Sequence, residues 1–252
     1  MRVESDDPAT ITVEELARRV RSRELTAEAV TDASLERIER GNPVINAFVA
    51  VDADNARTQA RSVDERLDAG DGIGPLAGVP IGVKDLEDAA GFRTVRGSMH
   101  LRDVAPAEYD STEVARLRSA GCVIIGKTNT PEAGWVGDTY NPVFGATLNP
   151  WNLDRSPGGS SGGTAAAIAS GMIPLGTGSD GGGSIRIPSA LTGMSGMKVS
   201  QGRVPSGPAP MGAADLSTRG PMARRIRDVA LALDMIVGPA PGDLRSLDDE
   251  SR

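Results

Sequence analysis

The chain has 252 residues, of which 39% are hydrophobic and 24% are charged, so its composition excludes a wholly disordered protein. Its net charge of −7, together with only three Phe, two Trp and two Tyr, argues against general nucleic-acid binding. The single histidine, His100, argues against most zinc sites, and no metal site is predicted.

The expected location follows from the apolar runs and the cysteine content. No stretch of about 18 apolar residues occurs, so no membrane span is predicted. The first ten residues, MRVESDDPAT, lack the basic start and the apolar stretch of a secretory signal. Cys122 is the one cysteine and cannot form an internal disulfide, so we expect a reduced, cytoplasmic setting.

Residues 1–70 are predicted to form an N-terminal helical segment. One helix begins after Thr10 or Thr12, where apolar residues recur at helical spacing. A second follows Thr26 and is expected to end at 41–43, where glycine, asparagine and proline stand in succession. A third, charged helix covers about 52–67. These helices are expected to form an outer layer without evident chemistry.

Residues 71–236 are predicted to form an α/β core. Short apolar runs at 79–83, 122–126 and 172–176 are typical of buried strands, and helical patterns lie between them at 111–120 and 164–170. This alternation predicts a mixed, largely parallel sheet flanked by helices, in one domain overall with the N-terminal segment. The turn-rich residues 237–252 are expected to be a linker or tail.

Residues 121–221 differ in composition from the rest of the chain. They hold 21 of the 31 glycines but only 11 charged residues. Glycines at this density indicate that the backbone closely approaches another backbone or a ligand. A functional site is therefore expected in this stretch.

Four short motifs in the core match patterns of other enzyme classes but stand in the wrong context. Residues 121–128 match the phosphate-binding pattern GxxxxGK[ST], yet their middle is Cys-Val-Ile-Ile, which predicts a strand rather than a loop. Residues 176–181 match GxGxxG and 195–198 match the serine–lysine pair SxxK, but nearby glycines and a proline oppose the helices that these patterns require. Residues 158–162 match the hydrolase pattern GxSxG, whose histidine follows the serine, whereas His100 precedes it.

Lysine is rare in this chain. Of the 27 basic residues, only Lys84, Lys127 and Lys198 are lysines, and the others are arginines. A buried lysine can lose its proton, whereas arginine cannot. The three positions are therefore candidates for a neutral amine, with codon bias as the alternative explanation.

Three segments of the core carry groups suited to acyl transfer. Lys84 ends an apolar strand, where burial favours the neutral amine. Ser160 lies among glycines, and Ser184 follows three glycines whose N–H groups can converge on an oxyanion. Strand character is expected to resume at Arg186, because an isoleucine flanks it on each side. Two hydroxyls, an amine base and a group of N–H donors suffice for acyl transfer.

With these residues in place, the sequence resembles the amidase signature family. The resemblance is carried by GGSSGG at 158–163 and by a second serine, 24 residues after Ser160, within DGGGSIRIP. GVPIGVKD, GKTNTPE, NPWNLDRSPGGSSGG and GMKVSQGRVP support it, so the likeness covers roughly residues 75–206. It implies an amidase-signature-type fold and an amidase that hydrolyses the carbon–nitrogen bond of a non-peptide amide.

The resemblance also implies a role for each matching residue. Ser184 is the expected nucleophile, which forms an acyl-enzyme. Ser160, expected to follow a cis peptide bond, is the relay, and neutral Lys84 is the base that later returns the proton to the leaving amine. The expected oxyanion hole consists of the backbone N–H groups of Gly181, Gly182, Gly183 and Ser184. No metal or organic cofactor is implied.

Several residues near these motifs have other expected roles. Arg186 either meets a substrate carboxylate or forms an internal ion pair. Asp180 is expected to hold the glycine turn through hydrogen bonds from the backbone, and Ser161 to be a structural hydrogen-bonding residue. The remaining expected structural residues are Lys127, Lys198 and the core residue Cys122.

The chain is short for this family, whose members usually complete the sheet and the pocket after the signature region. Three hypotheses therefore stay open. The first is an amidase acting on a small-molecule amide. The second is an inactive or partner-dependent fragment, completed by a homodimer or by a missing C-terminal half. The third is the glutaminase-type subunit of a tRNA-dependent amidotransferase, which release of ammonia from glutamine alone would favour.

Overall fold

The computed structural model describes residues 11–207, 216–243 and 245–247. Its helices are α1 (Val13–Arg21), α2 (Ala27–Ile45), α3 (Ala53–Asp68), α4 (Thr112–Ser119), α5 (Gly162–Ala169), α6 (Arg186–Thr192) and α7 (Ile226–Ile236). Its strands are β1 (Phe48–Val51), β2 (Pro80–Lys84), β3 (Val123–Thr128), β4 (Tyr140–Asn141), β5 (Gly145–Ala146), β6 (Leu175–Asp180), β7 (Ser195–Gly196) and β8 (Thr218–Ala223).

Six strands form the main sheet, in the order β1-β3-β2-β6-β8-β7. β2 runs parallel to both β3 and β6, whereas β1, β8 and β7 pair antiparallel to their neighbours. The mixed α/β fold class is confirmed. Parallel pairing is confined to β2, β3 and β6, which are connected along the chain through α4 and α5.

The predicted N-terminal helices are present, with the start of the chain lying outside the described residues. The Thr12 side chain accepts a hydrogen bond from the Glu15 N–H and so caps α1. The N-terminal segment also contains β1, which the sequence analysis did not predict. β1 pairs with β3 and attaches this segment to the edge of the main sheet.

The predicted end of α2 at 41–43 was wrong, because the helix continues to Ile45 with Pro43 inside it. Pro43 lies in the last turn of α2 and has no N–H to donate to the carbonyl four residues earlier, so the helix loses one hydrogen bond near its end. The helix ends instead at Asn46, which has a left-handed conformation (φ 55°) and donates its N–H to the Asn42 carbonyl.

The residues after Ser184 form α6, so the expected return to strand was wrong. The Asp180 carboxylate accepts hydrogen bonds from the N–H groups of Ile185 and Arg186, both at 3.2 Å, and thereby stabilises the start of a helix. Pro188 lies in the first turn of α6, where the missing N–H of proline is tolerated.

The stretch predicted as a linker or tail is described only at 237–243 and 245–247. Its beginning is attached to α4, because the Arg116 guanidinium donates hydrogen bonds to the carbonyls of residues 236–239. Among the described helices, none has both the length and the apolar character that a bilayer crossing requires. The cytoplasmic location stays a prediction.

Candidate active site

The candidate site lies where the parallel strands β2 and β6 end. Lys84 is the last residue of β2, and Asp180 is the last residue of β6. Parallel neighbours end at the same edge of a sheet, where the sites of open α/β sheets usually lie. The turn that carries Ser160 enters α5 at this edge, and the glycine loop that carries Ser184 leaves β6 there.

Lys84 is fully buried, with 0% of its surface exposed. Its Nζ lies 2.8 Å from the Ser160 Oγ, 2.8 Å from the Ser161 Oγ and 3.0 Å from the Ser179 Oγ. Burial lowers the pKa of the Lys84 amine to about 7, against the opposing attraction of nearby carboxylates. No carboxylate of the described residues hydrogen-bonds to this amine, so its neutral form is accessible near neutral pH.

The three hydroxyls around Lys84 suit both charge states of its amine. A hydroxyl oxygen can accept a hydrogen bond from an ammonium N–H, and its O–H can donate to the lone pair of a neutral amine. The amine can therefore take up or release a proton without leaving a buried polar group unpaired. Lys84 is held further by its backbone N–H, which donates to the Thr177 Oγ1 at 2.9 Å.

The Ser160 turn is closely packed. The Gly159–Ser160 peptide bond is cis, as the resemblance implied. A Cβ at Gly159 would lie 2.2 Å from the Asp138 carbonyl oxygen, so only glycine fits there. Ser161 is the N-cap residue that precedes α5, and it donates its N–H to the Ser184 carbonyl at 3.0 Å, which connects the two serine segments.

Ser184 is half-buried, between the glycine loop and α6. Its hydroxyl makes no hydrogen bond to any residue that the structure describes. The same is true of the N–H groups of Ser184, Gly181 and Gly182. Three backbone donors next to the hydroxyl are thus without acceptors in the described part of the chain, as an oxyanion site requires.

Gly183 differs from the other residues of the expected oxyanion hole. Its N–H donates to the Asp180 Oδ1 at 2.7 Å, so the expectation of a free donor at this position was wrong. Gly183 has a φ of +125°, which strongly favours glycine, and a Cβ there would lie 2.7 Å from the Ile187 Cδ1. Gly183 therefore determines the shape of the loop, while the N–H groups of Gly182 and Ser184 have no acceptor among the described residues.

Asp180 holds this loop, as the sequence analysis predicted. Besides the three backbone bonds already described, its carboxylate accepts from the Arg186 Nε and Nη2, both at 2.9 Å. Burial would raise the pKa of the Asp180 carboxyl, but the hydrogen bonds from Arg186 and the backbone outweigh burial and lower the pKa well below its usual value. Arg186 thus forms the internal ion pair, and its contact with a substrate carboxylate stays a prediction.

The other two lysines are paired with fixed groups. The Lys127 amine is fully buried, donates to the Glu87 carbonyl at 2.6 Å and lies 3.3 Å from the Asp85 Oδ1. Lys198 donates to the carbonyls of Asp180 and, at 3.1 Å, of Leu216. Cys122 is buried, and burial raises the pKa of its thiol. These contacts agree with the expected structural roles.

Three of the four motifs of other enzyme classes have the wrong local structure for those classes. Residues 121–128 largely form β3, 176–181 largely form β6, and 195–198 begin with the short strand β7. Over the ranges that the structure describes, no group of three or more His, Cys, Asp or Glu residues could hold a metal ion. The absence of a cofactor from the reaction stays a prediction.

Two site features were missed by the sequence analysis. Ser161 contacts the Lys84 amine as closely as Ser160 does, and Ser179 adds a third hydroxyl. Ser179 stands one residue before Asp180 on the buried strand β6, and Ser161 directly follows Ser160. Small polar residues on a strand that ends at a site are the signal that could have identified Ser179.

Comparison with known proteins identifies the family of the chain. The model of the family described as Amidase matches residues 29–252, so the chain belongs to the amidase signature family. The chain is 47% identical over 237 residues to a glutamyl-tRNA(Gln) amidotransferase subunit from Acidothermus cellulolyticus. That match covers 94% of this chain and 47% of the relative.

Two solved structures show how far the likeness of fold extends. A bacterial aryl acylamidase of the amidase signature family superposes with a TM-score of 0.89 at 37% identity, over 94% of this chain and 50% of that one. The peptide amidase of Stenotrophomonas maltophilia gives a TM-score of 0.85 at 34% identity, over 93% and 49%. The chain thus spans about half the length of the relatives it matches.

Proposed function

We propose that the protein is an amidase that hydrolyses the carbon–nitrogen bond of a small non-peptide amide through an acyl-enzyme on Ser184. Ser160 is the proton relay and Lys84 is the base. The observation that carries the proposal is the fully buried Lys84 amine, which lies 2.8 Å from the Ser160 hydroxyl and has no carboxylate partner in the described part of the chain.

In the first half of the reaction, the Ser184 Oγ attacks the amide carbonyl carbon. The Ser184 proton passes to the Ser160 Oγ as the Ser160 proton passes to the Lys84 lone pair. Negative charge then develops on the carbonyl oxygen, and the N–H groups of Gly181, Gly182 and Ser184 stabilise it. The carbon–nitrogen bond breaks as the proton on Lys84 returns through Ser160 to the leaving nitrogen.

In the second half, water takes the place of the departed amine. Lys84, neutral again, accepts the water proton through Ser160 while the water oxygen attacks the acyl carbon. The ester bond to the Ser184 Oγ breaks, Ser184 recovers a proton, and the carboxylic acid leaves. The balance of the reaction is one amide and one water converted to one acid and one amine.

Labelling with a serine-reactive fluorophosphonate, followed by intact mass measurement, tests the proposal. We expect one adduct on the wild-type chain and none on Ser184→Ala or Lys84→Ala. Ser189→Ala is the matched control, because Ser189 is a buried serine whose hydroxyl has no partner in the described part of the chain. An adduct that persists in Ser184→Ala, or its absence from folded wild-type protein, would contradict the proposal.

A second candidate function is the glutaminase-type subunit of an amidotransferase. The observation that favours it is the 47% identity to relatives named as glutamyl-tRNA(Gln) amidotransferase subunits. Comparing ammonia release from glutamine with release from simple aliphatic and aryl amides separates the two functions. Hydrolysis of glutamine alone supports the amidotransferase role, and hydrolysis of the simple amides supports the amidase.

A partner that completes the site is part of the proposal, as a second copy of the chain or a separate C-terminal half. The chain spans about half the length of its relatives, and both tryptophans are exposed. Trp135 is 86% exposed, and Trp151, 70% exposed, donates to the Thr192 carbonyl at the end of α6. Exposed apolar surface of this kind is typical of contact sites. Labelling that rises with protein concentration would support the second copy.

A further inference from the structure

The carboxyl groups of Glu87 and Glu113 are both buried, and no step of the proposed reaction uses them. Glu87 is 2% exposed, and Glu113, in the first turn of α4, is 0% exposed. The two carboxyl groups interact, because the charge of Glu87 raises the pKa of Glu113. No N–H or O–H group of the described residues donates to any of their four carboxyl oxygens.

Such a pair cannot carry two negative charges at an acceptable cost. Two ionised carboxylates in contact repel each other strongly in a buried site, and here neither receives a compensating hydrogen bond. When one carboxyl keeps its proton, it donates that proton to the other, and the pair then carries one negative charge. Burial, together with the nearby charge of Glu87, raises the pKa of Glu113 well above its usual value.

Arg219 determines which partner carries the charge. On β8, its Nε lies 3.8 Å from the Glu87 Oε1. Arg219 also lowers the pKa of Glu113, but no cationic group of the described residues forms an ion pair with Glu113. The negative charge is therefore placed on Glu87 and the shared proton on Glu113.

Glu87 and Arg219 lie on segments that also position the Lys84 amine. The Glu87 N–H donates to the Lys84 carbonyl at 3.0 Å, in the turn that directly follows β2. Arg219 is paired across the sheet with Ser179, whose hydroxyl lies 3.0 Å from the Lys84 Nζ. The Glu87 charge favours the ammonium form of Lys84 and so raises its pKa, in opposition to burial.

We propose that the Glu87–Glu113 pair, which holds one proton and is countered by Arg219, sets the fraction of Lys84 that is neutral. Glu87 is then a positioning residue that acts through Lys84. The inference rests on the proposed function, in which Lys84 is the base. Several other charged groups of the surrounding elements have fixed partners: Lys127 with Asp85, Asp180 with Arg186, Arg118 with Asp110, Arg116 with the Ile236 carbonyl, and Asp228 with the Val13 N–H.

The chain's three lysines permit a direct test. Protein labelled with 13C at the lysine Cε gives few NMR signals, and Lys84→Met assigns the one that belongs to Lys84. We expect Glu87→Gln to lower the midpoint of the Lys84 titration by about one pH unit, because a nearby negative charge is removed. Arg219→Gln removes the opposing charge and should raise the midpoint.

Glu113→Gln is the matched control. It makes the same chemical change in the same pair, but it replaces a neutral proton donor with a neutral N–H donor, so the Lys84 midpoint should not move. An unmoved midpoint in Glu87→Gln, or equal shifts in both glutamine variants, would overturn the inference.

Two further measures keep the result decisive. Circular dichroism identifies any variant that fails to fold. If Glu87→Gln fails to fold, the test passes to Arg219→Gln, and a Lys84 midpoint that does not rise in that variant overturns the inference. The titration needs no substrate. A chain that neither takes up fluorophosphonate nor hydrolyses an amide would contradict the proposed function while leaving the titration to decide this inference.

Discussion

The Lys84 Nζ and the Ser160 Oγ lie 2.8 Å apart, although 76 residues separate them along the chain. The contact arises because β2 ends at Lys84 and the turn before α5 places Ser160 at the same edge of the sheet. Lys84 is fully buried there, and burial lowers the pKa of its amine to about 7. The pair therefore links the charge state of Lys84 to the reactivity proposed for Ser184.

The rate of acylation should consequently rise as the pH increases through about 7 and should level off above it. The sign follows because only the neutral amine accepts a proton, and the neutral form predominates above the pKa. The rate of fluorophosphonate labelling as a function of pH measures this. Lys84→Arg keeps the charge but cannot lose it, so labelling should fall by at least about 100-fold. A wild-type rate in Lys84→Arg would exclude Lys84 as the base.

The glycine loop offers a matched pair of substitutions. Gly183→Ala should lower the free energy of unfolding by about 1–2 kcal/mol, because alanine is strained at a φ of +125° and its Cβ would crowd Ile187. Gly182→Ala should change it by no more than about 0.5 kcal/mol, since a Cβ there meets nothing within 4 Å. Urea unfolding of both variants checks the difference, and equal losses would contradict the loop geometry.

Much of the fold could be predicted because its central strands are apolar. The runs at 79–83 and 122–126 coincide closely with β2 and β3, since buried parallel strands are continuous in apolar residues. β6 was placed three residues too early, at 172–176, because its own sequence is Leu-Gly-Thr-Gly-Ser-Asp. Its glycines allow close packing, and a Cβ at Gly176 would lie 2.6 Å from the Thr164 Cγ2. A strand with so few apolar residues is difficult to recognise from the sequence.

The candidate site was only partly predictable for a related reason. The glycine motifs located Ser160 and Ser184, but the donor state of Gly183 depends on how the loop folds back on Asp180. Asp180 was expected to accept hydrogen bonds from this turn, but the sequence does not show which of the N–H groups three to six positions later it binds. The same hydrogen bonds to Asp180 start α6. The isoleucines on either side of Arg186 had indicated a strand instead.

Asp180→Asn should strongly destabilise the protein. The buried carboxylate accepts bonds from three backbone N–H groups and from Arg186, so we expect a loss of about 2–4 kcal/mol in the free energy of unfolding. Thermal and urea unfolding at neutral pH measure this loss. A stability equal to that of the wild type would show that Asp180 does not hold the loop.

Arg186→Gln should have a smaller effect, since the Arg186 side chain is 55% exposed and exposed ion pairs contribute about 0–1 kcal/mol. If the ion pair is its whole role, KM should change equally for neutral and carboxylate-bearing amides. A rise in KM confined to the carboxylate-bearing amides would instead assign Arg186 a contact with substrate.

Glu113→Gln should raise the melting temperature at neutral pH. Burial raises the pKa of the Glu113 carboxyl in the folded chain. Above about pH 4.5 the carboxyl is therefore ionised in the unfolded chain but still protonated in the folded chain, which lowers the free energy of unfolding. Glutamine does not titrate, so the variant avoids this loss and should melt about 2–4 °C higher at pH 7.

The same reasoning predicts how this gain depends on pH. At pH 4 both states of the wild-type chain keep the Glu113 proton, so the advantage of the variant should shrink towards zero. Calorimetry at pH 4 and pH 7 measures the difference, and Glu65→Gln on the exposed face of α3 is the control, with little change expected at either pH. An equal shift of the Glu113→Gln variant at both pH values would show that the carboxyl is not held protonated in the folded chain.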